Sequence, residues 1–346
     1  MSLEELNRIA VAMVAPGKGI LAADESTGTI KKRFDSINVE STEDNRRDYR
    51  EMLFRTTEAM QNHISGVILF DETLRQKAED GTPLVKLIED AGSIPGIKVD
   101  KGAKDMPGFP GEKVTEGLDG LRERLAEYHQ LGARFAKWRA VIDISRGGEM
   151  TMPGWGCIKA NAHALARYAA LCQEAGIVPI VEPEVLMDGD HTADRCFEVT
   201  HWSLKTLYAE LFDANVALEG TILKPNMVVS GKQCGTQTGV DEVAEKTIKC
   251  FRDAVPAAVP GIVFLSGGQS DEEATAHLNA MNNQYKDQMP WQLSFSYGRA
   301  LQAAPLKAWG GKKENVPAAQ AAFAHRAKMN GLAQLGDWSQ GLDKAA

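Results

Sequence analysis

The chain places charged side chains, several of them two residues apart, at the ends of short apolar segments. Lys137 and Arg139 lie in one such segment, and Glu182 and Glu184 end another. A spacing of two puts both side chains of a pair on the same face of a β-strand. Three further segments end in Asp24, in Lys98 with Asp100, and in Lys224. Acids and amines that converge in this way are typical of an enzyme site rather than of a solvated surface.

A lysine in an apolar strand can act as a nucleophile if its amine is neutral. The pKa of an unperturbed lysine is near 10.4, so Schiff-base chemistry at neutral pH requires a decrease of roughly 3 units, or about 4 kcal/mol. Burial and a nearby like charge both lower a lysine pKa. We therefore expect Lys137 and Lys224 to lower each other's pKa, with Glu182, Glu184 and Asp24 as proton-transfer groups.

Glycine-rich and hydroxyl-rich turns predict two anion sites. Residues 266–270 (SGGQS) precede a helix with a capping box, and residues 296–299 (SYGR) precede another helical stretch. Backbone N–H groups at such turns can bind a phosphate, although ordinary strand-to-helix turns have the same composition. Residues 25–29 (ESTGT), followed by Lys31, Lys32 and Arg33, form a second polar cluster.

Eight apolar β-like runs, about 30 to 45 residues apart, predict the elements that position these side chains. The runs are Gly19–Asp24, Gly66–Phe70, Gly96–Asp100, Arg134–Ile142, Ile177–Glu184, Gly220–Pro225, Gly261–Ser266 and Gln292–Tyr297. Helical spacing marks the intervening segments, among them one face through Tyr49, Met52, Leu53, Thr56 and Met60. This alternation predicts a single-domain α/β fold, a (β/α)8 TIM barrel, with a doubly wound open sheet as the alternative. In a barrel the charged strand ends would meet at one mouth.

Composition excludes several classes of protein. The chain has 346 residues, a net charge of −8 and 43% apolar residues, which is typical of a globular domain and excludes a disordered or nucleic-acid-coating protein. No apolar run approaches the roughly 18 residues of a membrane helix, so no membrane association is expected. The five cysteines are odd in number and form no CxxC, which indicates reduced thiols in a cytosol-like compartment.

No metal site is predicted. The seven histidines form neither HxH nor HExxH. The loop Asp188–His191 lacks the acidic twelfth position of an EF-hand, which here is Val199, and we interpret it as a solvated loop before a helix.

Several long motifs closely resemble class I fructose-bisphosphate aldolase, and together they span nearly the whole chain. They are GKGILAADESTGT (17–29), GIKVDKG (96–102), RFAKWRAVI (134–142), IVPIVEPEVL (177–186), LEGTILKPNMV (218–228), FLSGGQS (264–270) and SFSYGRALQA (294–303). The resemblance implies a cytoplasmic, homotetrameric (β/α)8 lyase of glycolysis and gluconeogenesis that uses neither metal nor cofactor. It implies reversible cleavage of fructose 1,6-bisphosphate to dihydroxyacetone phosphate and glyceraldehyde 3-phosphate.

The resemblance also implies individual roles. Lys224 resembles the Schiff-base lysine and Glu182 the principal proton-transfer group, with Asp24, Lys137 and Glu184 in the supporting catalytic set. Residues that resemble the site for the C1 phosphate end are Arg33, Ser266, Gly267, Gly268, Ser296, Gly298 and Arg299. Residues that resemble contacts to the other end of the substrate are Ser26, Thr29, Lys98 and Arg139.

The C-terminus departs from the animal members of that family. They end in a tyrosine that helps protonate the enamine, whereas the last tyrosine here is Tyr297. We expect a barrel domain over residues 1–336, including an N-terminal helix, and a weakly structured tail over 337–346. We also expect that loss of residues 340–346 leaves the cleavage rate within about threefold.

Two rival functions remain open at this stage. One is a Schiff-base lyase of the transaldolase or pyruvate-aldolase kind, whose substrate carries one phosphate or none; two anion clusters favour a bisphosphate instead. The other is a non-catalytic scaffold, against which the retained Lys224, Glu182 and Asp24 argue.

Overall fold

A closed barrel of eight parallel strands forms the centre of the protein. The computed structural model describes residues 2–144, 146–147 and 150–344. The strands are β1 (Gly19–Ala23), β2 (Ile64–Leu69), β3 (Ile94–Lys98), β4 (Phe135–Ile142), β5 (Val178–Val185), β6 (Ile222–Leu223), β7 (Gly261–Phe264) and β8 (Gln292–Tyr297). They follow one another around the barrel in chain order, and β1 pairs with both β2 and β8. The predicted (β/α)8 TIM barrel is confirmed, and closure excludes the open doubly wound sheet.

Helices surround the barrel and connect its strands. The helices are α1 (Leu3–Met13), α2 (Thr27–Asp35), α3 (Glu43–Phe54), α4 (Thr57–Asn62), α5 (Asp71–Arg75), α6 (Leu84–Asp90), α7 (Leu121–Gln130), α8 (Trp155–Glu174), α9 (Ala193–Asp213), α10 (Val240–Ala254), α11 (Asp271–Tyr285), α12 (Arg299–Trp309), α13 (Val316–Leu335) and α14 (Gln340–Lys344). The predicted helical face through Tyr49 and Met60 is divided between α3 and α4, because the chain leaves the helix at Arg55 and Thr56.

The strands are apolar because both faces of a parallel barrel are covered. All six residues of β2 and all eight of β5 are buried, Glu182 and Glu184 included. Inward-facing side chains such as Phe135 and Ile180 fill the barrel as one cluster, and outward-facing side chains pack against the helices. The barrel is therefore a solid core, and its polar groups are confined to one end.

The N-terminal helix closes the opposite end of the barrel. Ser2 caps α1 by accepting a hydrogen bond from the Glu5 N–H at 3.2 Å, as the capping spacing predicts. The apolar face of the helix, which includes Leu6 and Met13, joins the cluster inside the barrel. Strand β7 begins against Val14, since a Cβ on Gly261 would overlap that side chain. Helix α1 thus covers the N-terminal ends of the strands and leaves their C-terminal ends open.

The segment after Gly336 is better ordered than the sequence suggests. Residues 340–344 form α14, and its Asp343 contacts α13 through a salt bridge to Arg326 at 2.6 Å. Asp343 also accepts hydrogen bonds from the Trp338 indole and bonds to His325. Both members of the Asp343–Arg326 pair have only 6% of their side-chain surface exposed. The expectation of a weakly structured tail is wrong for 340–344; residues 345 and 346 lie outside the described residues.

Two further features bear on the expectations from composition. The five cysteines are free thiols, and four of them are buried. Among the described residues, no helix combines the length and the apolar character needed to span a bilayer.

Candidate active site

A polar cavity of about 430 Å³ lies at the C-terminal ends of the strands. It brings together every site residue that the sequence predicts. Those residues are Asp24, Ser26, Thr29, Arg33, Lys98, Lys137, Arg139, Glu182, Glu184, Lys224, Ser266, Gly267, Gly268, Ser296, Gly298 and Arg299. The roles assigned to them by resemblance stay predictions, but their convergence is a property of this structure.

Strand register explains why these side chains meet. Lys137 is paired with Lys98 of β3 on one side and with Ile180 of β5 on the other. Glu182 stands two residues beyond Ile180 and pairs with Arg139. Equal spacing along neighbouring parallel strands therefore places the charged residues side by side at the same level of the barrel.

Four of these groups form a buried ionic chain. The Lys137 ammonium lies 2.8 Å from Asp24 Oδ2 and 3.3 Å from Glu182 Oε2. Glu182 Oε1 lies 3.2 Å from the ammonium of Lys224. The carboxylate of Glu182 thus lies between the ammonium groups of Lys137 and Lys224.

Charge pairing keeps the buried carboxylates ionised. Burial raises the pKa of Asp24, but neighbouring ammonium groups, first that of Lys137, outweigh burial and hold the pKa well below its usual range. Burial also raises the pKa of Glu182, and Lys137 and Lys224 together lower it below its ordinary value. Both carboxylates are therefore ionised at neutral pH.

The expectation that the two lysines lower each other's pKa is wrong for Lys137. Burial lowers the pKa of Lys137, but the negative charges of Asp24 and Glu182 more than compensate and raise that pKa well above its usual value. The strand spacing predicts that the charges converge, but it does not reveal that a carboxylate would separate the amines. Lys137 is therefore a fixed cation that orients two carboxylates.

The first predicted anion site lies between β7 and α12. Gly267 has φ of +56°, and a Cβ there would overlap Met187, so only glycine fits this turn. Arg299 donates a hydrogen bond from Nη2 to the Gly267 carbonyl. Arg299 has no carboxylate within 4 Å in the described ranges, and the Ser296 hydroxyl has no hydrogen-bond partner there. Both groups are thus available to an anion.

Helix α11 holds this turn in place. The ring of His277 bonds to the Gln269 side-chain oxygen, and the Gln269 amide donates to the Ser266 carbonyl at 3.2 Å. Burial lowers the pKa of His277 to about 4, so the ring is neutral at pH 7. A neutral imidazole N–H donating to Gln269 fits this arrangement.

The second predicted anion site begins at the N-terminus of α2. The hydroxyls of Ser26 and Thr29 lie 3.1 Å apart. Arg33, one helical turn further on, also approaches the first site, since a Cβ on Gly298 would lie 3.5 Å from its Nη2. Arg139 pairs with Glu184, whereas Lys98 lies over the Phe70 ring, 5.4 Å from its centre.

Four charged residues that line the cavity were given no individual role from the sequence, namely Glu25, Asp100, Asp188 and Lys232. Glu25 accepts hydrogen bonds from Arg33 and from Gln302, and its backbone carbonyl accepts one from the buried Arg50. Asp100 accepts hydrogen bonds from the backbone of Arg139 and of Gly102. Asp100 already ended a predicted strand and could have been found from that position. Asp188 lies in the loop that we interpreted as solvated.

Within residues 2–144, 146–147 and 150–344, no group of three histidine, cysteine, aspartate or glutamate side chains is arranged to hold a metal ion.

Comparison with known proteins identifies the family to which this geometry belongs. The family model described as fructose-bisphosphate aldolase class-I matches residues 5–346. The chain belongs to the class I fructose-bisphosphate aldolase family. Among curated relatives, the probable fructose-bisphosphate aldolase class 1 of Xanthomonas campestris is 60% identical over 98% of this chain and 99% of its own length. The cytosolic fructose-bisphosphate aldolase 4 of Arabidopsis thaliana is 55% identical over 96% of this chain and 84% of its own.

A solved aldolase has the same fold. The fructose-bisphosphate aldolase of Plasmodium falciparum, crystallised with TRAP and a small-molecule inhibitor, superimposes with a TM-score of 0.94. It is 50% identical to this chain, and the match covers 98% of this chain and 96% of the other. The match to the aldolase family therefore extends through the whole barrel and not only through the motifs around the cavity.

Proposed function

We propose that the protein is a class I fructose-bisphosphate aldolase that reversibly cleaves fructose 1,6-bisphosphate without a metal ion. The observation that carries this proposal is the 3.2 Å contact between Lys224 and Glu182. It places an amine and a proton acceptor together, buried, at the open end of the barrel. Family membership supports the same activity.

The contact provides a route to imine formation. Proton transfer from the Lys224 ammonium to the Glu182 carboxylate leaves a neutral amine and a carboxylic acid. The amine attacks the C2 carbonyl carbon of the substrate, and Glu182 returns the proton to the hydroxyl that leaves as water. Lys137, held as a cation, stabilises the Glu182 carboxylate that remains.

The resulting iminium accepts the electrons of the broken carbon–carbon bond. Asp24, directly or through a neighbouring carboxylate, takes the proton of the C4 hydroxyl; the C3–C4 bond then breaks and glyceraldehyde 3-phosphate leaves. Protonation of the enamine at C3 and hydrolysis of the imine release dihydroxyacetone phosphate and the Lys224 amine. Residues 298–346 contain no tyrosine, so no tyrosine hydroxyl in that stretch supplies this proton.

Two predicted anion sites that line the same cavity support a bisphosphate substrate. Ser266, Gly267, Gly268, Ser296, Gly298, Arg299 and Arg33 would bind the C1 phosphate end, and Ser26, Thr29, Lys98 and Arg139 the other end. A Schiff-base lyase for a substrate with one phosphate would require only one of these sites. Glu184 supports the second site by pairing with Arg139.

We also propose that the protein is a cytoplasmic homotetramer with one barrel domain, residues 1–336, and a tail, 337–346. Exposed apolar side chains support self-association, because Phe212 is 80% and Trp155 53% exposed in the isolated chain. The Arabidopsis relative is named as cytosolic. Sedimentation equilibrium should give a mass of four 37.6 kDa chains; a stable monomer would contradict the assembly.

Steady-state cleavage in EDTA tests the function. We expect the wild-type protein to cleave fructose 1,6-bisphosphate at an unchanged rate after chelation and Lys224→Met to lose roughly a thousandfold or more in kcat. Lys205→Met, at an exposed position on α9, is the matched control. Loss of activity in EDTA with recovery in zinc would overturn the proposal, as would higher kcat/KM on a substrate with a single phosphate.

A further inference from the structure

Lys232 lies beside the first anion site but belongs to neither predicted set. It stands in the loop after β6, and its side chain lines the cavity. The loop is fixed against the loop that follows β5. The Lys232 N–H donates to the Met187 carbonyl at 2.9 Å, and the neighbouring Gly231 N–H donates to the His191 carbonyl at 2.8 Å. The backbone therefore holds Lys232 at the mouth of the barrel.

The side chain of Lys232 extends across the glycine-rich turn. A Cβ on Gly268 would overlap the Lys232 Cε and Nζ atoms. Gly268 has no positive φ, unlike Gly267, and the end of the Lys232 side chain occupies the space beside its α-carbon. The ammonium therefore lies directly against the backbone that would bind a phosphate.

The present partner of Lys232 is easily displaced. Its Nζ lies 3.0 Å from Asp188 Oδ1, and the two side chains are 40% and 66% exposed. Exposed ion pairs of this kind contribute little to stability, because solvent screens them. A phosphate carries more charge than a carboxylate and offers three strong acceptor oxygens. The ammonium can therefore turn from Asp188 to a phosphate on the turn at little cost.

Arg299 contacts the same turn at Gly267. The structure assigns to Lys232 the role of a further substrate-binding cation that, with Arg299, clamps the C1 phosphate on the Ser266–Gly268 turn. This inference rests on the proposed function for the identity of the phosphate. The chemistry it needs is only a phosphate monoester.

Inorganic phosphate and the two condensation substrates test the assignment on the full-length protein. Lys232→Met should weaken the binding of inorganic phosphate, measured by calorimetric titration, by about three- to tenfold, because the substitution removes a charge-assisted contact. The same variant should raise the KM for dihydroxyacetone phosphate by a similar factor. Its KM for glyceraldehyde 3-phosphate and its kcat should both stay within about twofold of the wild-type values. Lys232→Arg should restore most of the affinity. Lys246→Met, which breaks an exposed pair with Asp194 between outer helices, is the matched control.

Each outcome decides the assignment. Unchanged phosphate affinity in Lys232→Met overturns it, and so does a rise in KM confined to glyceraldehyde 3-phosphate, which would place Lys232 at the other phosphate. The two proposals can fail separately. If Lys232→Met binds phosphate more weakly but the wild-type protein does not cleave fructose 1,6-bisphosphate, the clamp is supported and the proposed function is overturned.

Discussion

Glu182 contacts two ammonium groups at nearly equal distances, 3.2 Å from Lys224 and 3.3 Å from Lys137. The two contacts have different consequences. Lys137 is also paired with Asp24 and stays charged, whereas Lys224 has no second carboxylate within 4 Å in the described part of the chain. Lys224 thus has one carboxylate partner where Lys137 has two, which supports the proposal that Lys224 is the amine that forms the imine.

Glu182→Gln tests the proton-transfer role at the scale of one side chain. The amide has nearly the same shape but cannot take the proton of Lys224 or return it to the departing hydroxyl. We expect kcat for cleavage to fall by about 100- to 10,000-fold with little change in KM. Glu219→Gln, at an exposed position, controls for a general effect of losing a carboxylate. A kcat within tenfold of wild type would assign the proton transfer to another group.

The sequence predicted which residues form the site, but it did not predict how their charges pair. The spacing of two along strands predicted which side chains converge, because a parallel strand has a fixed period. It could not predict that Glu182 would lie between the lysines or that Asp188 would pair with Lys232. Those contacts join different strands and loops, and their partners are set by packing that no local pattern encodes.

Helices and loops around the barrel hold the site residues in position. Helix α11 illustrates this, because its buried His277 holds the Ser266 turn through Gln269. The unfolded chain binds a proton at His277 as the pH falls below about 6.5, but the folded protein does so only near about 4. The unfolded state therefore binds more protons across this interval, and the free energy of unfolding decreases as the pH is lowered.

His277→Gln should flatten that pH dependence. The free energy of unfolding of both proteins should decrease from pH 7.5 to pH 4.5. We expect this decrease to be smaller in the variant by about 2 to 3 kcal/mol, because the variant lacks the ring that titrates. The variant should nevertheless be less stable than wild type at pH 7.5. Urea denaturation at the two pH values gives the comparison. His163→Gln, on an exposed part of α8, is the control. Equal slopes in the wild-type and His277→Gln proteins would show that the folded ring titrates normally.

The tail is a second case in which element-level contacts matter. Arg326 of α13 is buried and pairs with Asp343 of α14. Asp343→Ala leaves that guanidinium without its carboxylate, and we expect the free energy of unfolding to decrease by about 3 kcal/mol. Cleavage at 25 °C should stay within about threefold, because neither residue lines the cavity. Asp337→Ala, which removes an exposed carboxylate, is the control.

Chemical denaturation and steady-state cleavage on the same preparations separate the two effects. A loss of cleavage far beyond threefold in Asp343→Ala, with unfolding unchanged, would show that the tail acts in catalysis and not in anchoring.

At the scale of the whole molecule, the fold followed from the sequence because its signal is repeated eight times. The same alternation of apolar run and helical segment recurs along the chain, so one ambiguous element did not alter the prediction. The predicted ends of strands were less accurate where the hydrogen bonding between strands stops before the apolar run does. The sixth run was predicted to extend to Pro225, but β6 ends at Leu223, since proline cannot donate a ladder hydrogen bond.

The closed barrel determines where a Schiff-base lysine can lie. Helix α1 covers one end of the barrel, and Lys98, Lys137 and Lys224 all line the cavity at the other end. We propose that only one of these three amines, that of Lys224, forms the imine. Lys137 is held as a cation by two carboxylates, whereas Lys98 lies over the Phe70 ring and forms no ion pair within 4 Å among the described residues.

Borohydride trapping tests that claim most directly. Reduction in the presence of dihydroxyacetone phosphate should inactivate the protein, because it converts the imine to a stable secondary amine. Peptide mapping by mass spectrometry should then place the added mass on Lys224 alone, and Lys224→Met should acquire no label. A stable label on Lys98 or Lys137, or no label at all in an active enzyme, would contradict the account.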